Sequence, residues 1–315
     1  MSKYRYTLEQ YKGMSTRYRC PICQQKNKTF SLYIDSVTGE HIHNTVGRCD
    51  RESSCGYHYT PKQYFQDNKI LFDKSHTNIY TSKPFKNQTN FTSHISIEIF
   101  KASLCSAAFE TNHFVKFLIK MFGDIVVSKL ISNYFIATSK YWKGATVFWQ
   151  IDANGKVRTG KIMLYNPATG KRVKKPHNYI HWAHKALEQP LFELKQCLFG
   201  EHLIIDKTKP IALVESEKTA IIMSVFKPEY SWLATGSKSG FKYEFLEPIK
   251  EFKIVAFPDK SEYNDWLHKA TELNGFGFKI AVNDWLEKQN KYEAGTDLAD
   301  VYINELSNVK QPKKR

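Results

Sequence analysis

A chain of 315 residues with 42% hydrophobic content can fill ordinary packed cores, which excludes wholesale disorder and predicts two or three domains. Lysine and arginine outnumber acids 46 to 31, a formal charge of +15, and so lopsided a balance predicts a polyanionic partner. No apolar run approaches the length that spans a bilayer, and the opening MSKYRYTLEQYKG lacks the apolar core of a secretory signal; a cytoplasmic protein with six unpaired cysteines is expected.

Four cysteines fall in CPICQQKNKTF and VGRCDRESSCGYHYTP. Cys20 and Cys23 form a CxxC knuckle that aims two thiolates at one point, and Cys49 and Cys55 can supply the other two corners of a tetrahedron. Zinc held by four thiolates folds a segment too small to stabilise itself, so structural Zn(2+) is predicted. His58 could replace Cys55 as the fourth ligand, and His41 and His43 are weaker candidates. The alternation in KTFSLYIDSVTGEHIHNTVGR around Thr38-Gly39 predicts a ribbon's hairpin. Arg17, Arg19, Arg48, Arg51 and Lys62 interleave with tyrosines there, a pattern suited to single-stranded nucleic acid, whose phosphates take charge and whose bases stack.

Residues 74–97 are polar and without period, predicting a linker. In TNHFVKFLIKMFG, Phe114, Phe117, Leu118, Met121 and Phe122 lie at helical spacing and Gly123 stops the helix. Next, Val147–Ile151 and Val157–Tyr165 read as strands joined by an Asn154-Gly155 turn. From Lys156 to Lys175 there are seven cations and no acid, which suits a phosphate-binding face; Arg158 and Lys161, with Lys171 and Arg172, are the candidates.

The last third alternates strand and helix: KPIALVE, SEKTAIIMSVF, YSWLATG, FKIVAFPD, YNDWLHKATELNG, FKIAVND. That order predicts an α/β layer with a mainly parallel sheet, whose ligand crevice lies at the carboxyl ends of the strands. Glu215 and Asp259 each sit at such an end, and Asp297 and Asp300 follow the fourth strand. Acids converging on one rim repel, and a divalent cation resolves the conflict: Mg(2+) or Mn(2+) held by Glu215, Asp259, Asp297 and Asp300. Glu215 could alternatively move a proton on a hydroxyl nucleophile. The ATGSKSG turn, with Lys238 between Gly236 and Gly240, suits close approach to a phosphate. Glu217, Asp265 and Asp284 read as surface residues.

LVESEKTA followed by FPDKSEYNDW resembles the toprim domain shared by bacterial-type primases, topoisomerases and some nucleases. Glu215 matches that family's first-strand Glu and Asp259 the first acid of its DxD pair. Ser216 stands where Gly is frequent and Ser261 where the second Asp belongs; Asp297 and Asp300 resemble a later acidic pair, spaced by two residues instead of one. The order of parts is similar to bacterial and phage DNA primases, and VGRCDRESSCGYHYTP and VRTGKIMLYNPATGKR resemble a primase-like group of bacterial mobile elements. The resemblance implies a zinc ribbon over 1–66, a linker over 67–98, a basic α+β primase-core-like subdomain over 99–200, a toprim-like domain over 201–306 and a basic tail over 307–315. It implies short RNA synthesis on single-stranded DNA from nucleoside triphosphates, with Glu215, Asp259 and Lys161 catalytic and Lys161, Arg158, Lys171, Arg172 and Lys238 binding nucleotide or template. A metal-dependent nuclease and a catalytically decayed DNA-binding protein remain open alternatives. No GxxxxGK[ST] loop is present, so this sequence carries no helicase motor, and a replicative helicase is one candidate partner.

Overall fold

The computed structural model describes residues 5–51, 55–68, 92–189, 191–205 and 208–310. They fall into two compact units, residues 1–89 and 90–315.

In the first unit, strands β1 (Tyr6–Leu8), β2 (Phe30–Asp35), β3 (Gly47–Cys49) and β4 (His58–Tyr59) form one antiparallel sheet in chain order. The expected hairpin is β2–β3, with Phe30 opposite Cys49, and its turn contains Gly39 at φ 76°. Gly47 is required by close approach, because a Cβ there would run into the Ser31 carbonyl oxygen. Helix α1 (Pro61–Asp67) starts on a reciprocal cap between Thr60 and Gln63, with proline where no N–H partner is needed. The core is small: Cys20, Phe30, Leu32 and Cys49 are its buried members.

The second unit begins within the expected linker. Ile95 is buried and its N–H bonds Val157 O at 2.8 Å, and Ser96 caps α2 (Ile97–Ser103). Residues 69–91 of that linker lie outside the described residues. Helix α3 (His113–Phe122) is the predicted one: Asn112 caps it, Phe114, Phe117 and Leu118 are buried, and Gly123 ends it at φ 78°. Helix α4 (Asp124–Tyr134) follows. Strands β5 (Ala137–Thr138), β6 (Thr146–Ile151), β7 (Val157–Met163) and β8 (Ile180–Trp182) make an antiparallel sheet in that order, and α5 (Ala183–Ala186) leaves its edge.

The remaining elements are β9 (Ile211–Val214), α6 (Glu217–Phe226), β10 (Ser231–Ala234), α7 (Tyr243–Leu246), β11 (Lys253–Ala256), α8 (Tyr263–Gly275), β12 (Lys279–Val282) and α9 (Leu298–Lys310). Their sheet is wholly parallel in the order β10-β9-β11-β12. Alternate residues of β9 serve different cores. Ala212 and Val214 pack with α3, α6 and Phe148, whereas Ile211 and Leu213 pack with Phe241, Trp266 and Ile280. Apolar side chains on both faces are what a covered parallel sheet requires. Helix α6 is buried from Glu217 to Met223, and α9 continues past the expected start of a tail at 307, to Lys310.

Trp266 is fully buried and stacks on Phe241 with ring centroids 4.6 Å apart. Trp266→Ala should lower the unfolding free energy by about 3–5 kcal/mol in urea titration. A loss below about 1 kcal/mol would contradict the packing described.

Candidate active site

Strand β9 lies between β10 and β11, so the connections leaving the sheet diverge to opposite sides there. Such a switch point opens a crevice at the strands' carboxyl ends. Glu215 follows directly on β9, and Asp259 sits in the loop after β11. Two backbone bonds, Lys260 N–H to Thr296 O and Gly295 N–H to Lys260 O, both 2.9 Å, tie that loop to the segment before α9. Asp297 is thereby brought to the same rim, where its Oδ1 accepts the Asp300 N–H at 2.8 Å and caps α9.

The facing wall comes from the antiparallel sheet. Lys161 is opposite Phe148 and Trp182, and Met163 is opposite Ile180. Gln150, Lys161, Met163, Ile180 and Trp182 line one side of a cleft of about 670 Å³, and Glu215, Glu217, Lys218, Asp259, Asp297 and Asp300 line the other. The loop after β7 adds Lys171, Arg172 and Lys174, all exposed. Gly170 orients that loop: it has φ 65°, and a Cβ would run into the Phe117 ring. Glu215 and Asp259 therefore share one cleft, with Asp297, Asp300, Lys161, Lys171 and Arg172.

The structure gives several of these residues partners within the fold. Glu217, read as a surface residue, is 2% exposed, because the first turn of α6 is buried and faces β7. Its carboxylate accepts from Lys161 Nζ at 3.1 and 3.2 Å, and the same ammonium donates to Gly236 O at 2.5 Å. Lys161 lines the cleft with its ammonium paired to Glu217 and Gly236. Arg158 is not among the cleft-lining residues: it falls where the β6–β7 register shifts, has no partner on β6, and pairs with the buried Asp152 at 2.6 Å. Lys238 is also outside the lining, pairing with Glu262 at 2.5 Å and Asp265 at 2.6 Å. The glycine turn around it spends its N–H groups internally, Gly236 on Glu215 O and Gly240 on Ser237 O, both at 2.9 Å. Asp297 and Asp300 reach the cleft but meet a lysine of LVESEKTA that was not among the expected site residues: Lys218 Nζ is 3.1 Å from Asp297 Oδ2 and 2.7 Å from Asp300 Oδ1. Ser261 is exposed with φ 78°, and its N–H donates to Glu287 Oε2 at 2.8 Å.

The electrostatics follow from these pairings. Burial would lower the Lys218 pKa, but Asp297 and Asp300 more than offset it and hold the ammonium charged. Burial pushes the Glu215 carboxyl up, against the pull of Lys161 and Arg172. Asp259 is pushed up to about 8, by burial first and then by the negative charges of Asp297 and Glu215. Two hard carboxylates held short of cationic partners fit a magnesium-type ion, which takes one or two protein oxygens and keeps water and phosphate for the rest.

In the first unit the four thiols Cys20, Cys23, Cys49 and Cys55 lie within 4.8 Å of one another, the one set of three or more candidate ligands among the described residues. This set fits tetrahedral zinc. His58 is turned away: its ring stacks on Tyr33, and Nε2 is 3.0 Å from the Tyr33 hydroxyl. His41 pairs with Glu9 at 3.0 Å, and His43 stacks on Tyr64.

Residues 4–70 match the zinc beta-ribbon finger family, and residues 112–260, which include Lys161, Glu215 and Asp259, match a domain of unknown function, DUF6371. No curated protein matches the chain. Among solved structures, the primase fragment of the bacteriophage T7 primase-helicase protein is similar at 14% identity, covering 93% of this chain and 96% of that one with TM-score 0.39. The zinc-binding and RNA polymerase domains of Aquifex aeolicus primase align at 13% identity over 96% and 79%, TM-score 0.39. The RNA polymerase domain of Mycobacterium tuberculosis primase aligns at 12% over 66% and 73%, TM-score 0.36. No described helix is long and apolar enough to cross a membrane.

Two outcomes are expected. Lys161→Met leaves the buried Glu217 charge unpaired and should cost about 3–5 kcal/mol in denaturant unfolding, most of it recovered in the Lys161→Met/Glu217→Leu double variant. A single variant as stable as the parent contradicts the pairing. In metal-free protein, Asp259 keeps its proton to about pH 8 when folded but releases it near 3.8 when unfolded. The folded state then binds more protons across that window, so this group's stabilisation is full at low pH and lost as pH rises through about 8. The difference in melting temperature between wild type and Asp259→Asn should therefore change steadily over that range, and a flat difference contradicts the raised pKa.

Proposed function

We propose that this chain is a primase-like nucleotidyltransferase that makes short RNA on single-stranded DNA from nucleoside triphosphates, with a structural zinc and a catalytic divalent cation. The observation that carries the reading is one cleft in which Glu215 and Asp259 converge from adjacent strand ends while Lys171, Arg172 and Lys174 line the same space. Phosphoryl transfer needs that combination: oxygen ligands on one side and cations for a polyphosphate on the other.

Glu215 and Asp259 would hold the ion, which when bound neutralises charge on phosphoryl oxygens. The exposed Lys171, Arg172 and Lys174 would take the triphosphate, and Lys161 keeps the wall beneath them in place through Glu217 and Gly236. The ribbon would contribute to the template through exposed Arg19 and Lys62 and neighbouring tyrosines.

Zinc-retaining protein should produce short RNA on single-stranded DNA with magnesium or manganese, beside a known primase as control. Glu215→Gln and Asp259→Asn should each lower the yield by about a hundredfold or more, while leaving the zinc content unchanged. Absence of product while the control succeeds overturns the proposal. Shortening of labelled DNA without nucleoside triphosphates would instead identify a nuclease, and binding with neither activity a decayed DNA-binding protein.

A further inference from the structure

Five carboxylates line the cleft: Glu215, Glu217, Asp259, Asp297 and Asp300. Two ammonium groups of the chain itself answer three of them. Lys161 takes Glu217, and Lys218 takes both Asp297 and Asp300. The Lys218 side chain is only 9% exposed, and α6 fixes it three residues beyond Glu215. Both oxygens of Asp297 are engaged within the chain, Oδ2 with Lys218 and Oδ1 with the Asp300 N–H. Glu215 and Asp259 are the two cleft carboxylates that no described lysine or arginine pairs with.

We propose that Lys218 takes the place of a second divalent ion, so that the cleft binds a single magnesium or manganese, at Glu215 and Asp259. A second ion beside Asp297 and Asp300 would have to expel an ammonium that is already desolvated and paired twice, and to surrender its own waters, which magnesium does reluctantly. The lysine supplies fixed positive charge at the far end of the acidic row without depending on metal concentration. This rests on the cleft being the metal-dependent site proposed above.

The test counts manganese bound to zinc-loaded full-length protein by electron paramagnetic resonance, with zinc measured separately. Wild type is expected to bind one manganese in the cleft. Asp259→Asn should weaken it by about tenfold or more, as loss of a ligand does, whereas Asp300→Asn, which removes only a partner of Lys218, should leave it unchanged. Lys218→Met frees Asp297 and Asp300 and should raise the count to two.

Two ions in wild type, equal weakening by Asp300→Asn and Asp259→Asn, or a count that stays at one in folded Lys218→Met each overturn the assignment of Lys218. No manganese in wild type, or binding indifferent to Glu215→Gln and Asp259→Asn together, overturns the metal-dependent reading as well, so the two failures are told apart. Where Lys218→Met does not fold, the comparison of Asp300→Asn with Asp259→Asn decides.

Discussion

The cleft depends on one buried ammonium. Lys161 leaves the middle of an antiparallel strand and ends on Glu217, at the start of α6, and on the carbonyl of Gly236, just beyond β10. Removing a lysine and a glutamate from water is costly, and attraction at low dielectric offsets that cost only when the geometry is good. The antiparallel and parallel layers can therefore slide little relative to one another without leaving a charge unanswered. Gly236 makes the approach possible: its φ is 74°, and a Cβ would come to 3.2 Å from Glu217 Oε1.

With that contact in place, the remaining charges sort along the cleft. Lys218 pairs with both Asp297 and Asp300, exposed cations occupy the loop after β7, and Asp259 is left in the field of Asp297 and Glu215. The uneven pairing gives the acids different tasks. Paired acids hold the structure, and unpaired ones are available to a cation or a proton. Arg158 shows the same logic outside the cleft, where the buried Asp152 claims it and the β6–β7 turn is held in return by Asp152 Oδ1, which accepts the Asn154 and Lys156 N–H groups.

Much of this was legible locally. The strands and helices after residue 209 alternate as their apolar periods predict, α8 occupies the expected YNDWLHKATELNG, and the Asn154-Gly155 turn joins the predicted hairpin. The CxxC knuckle and the two later cysteines converge as their chemistry requires. Glu217 was harder: an acid at the first turn of a helix ordinarily favours solvent and the helix dipole. Only the density of apolar residues following it hinted that this turn was covered on all sides.

The sequence by itself determined a CxxC-based ligand set with Cys49, the order of strands and helices, and the placing of acids at strand ends, because these follow from short-range periodicity and from ligand chemistry. That Cys55 rather than His58 joins the other three cysteines came from the fold. Tertiary structure alone decided which charges meet. Lys161 reaches Glu217 across 56 residues, and Lys218 reaches Asp300 across 82. Such partners are chosen by burial and distance in the folded chain, neither of which leaves a local periodic trace in the order of residues.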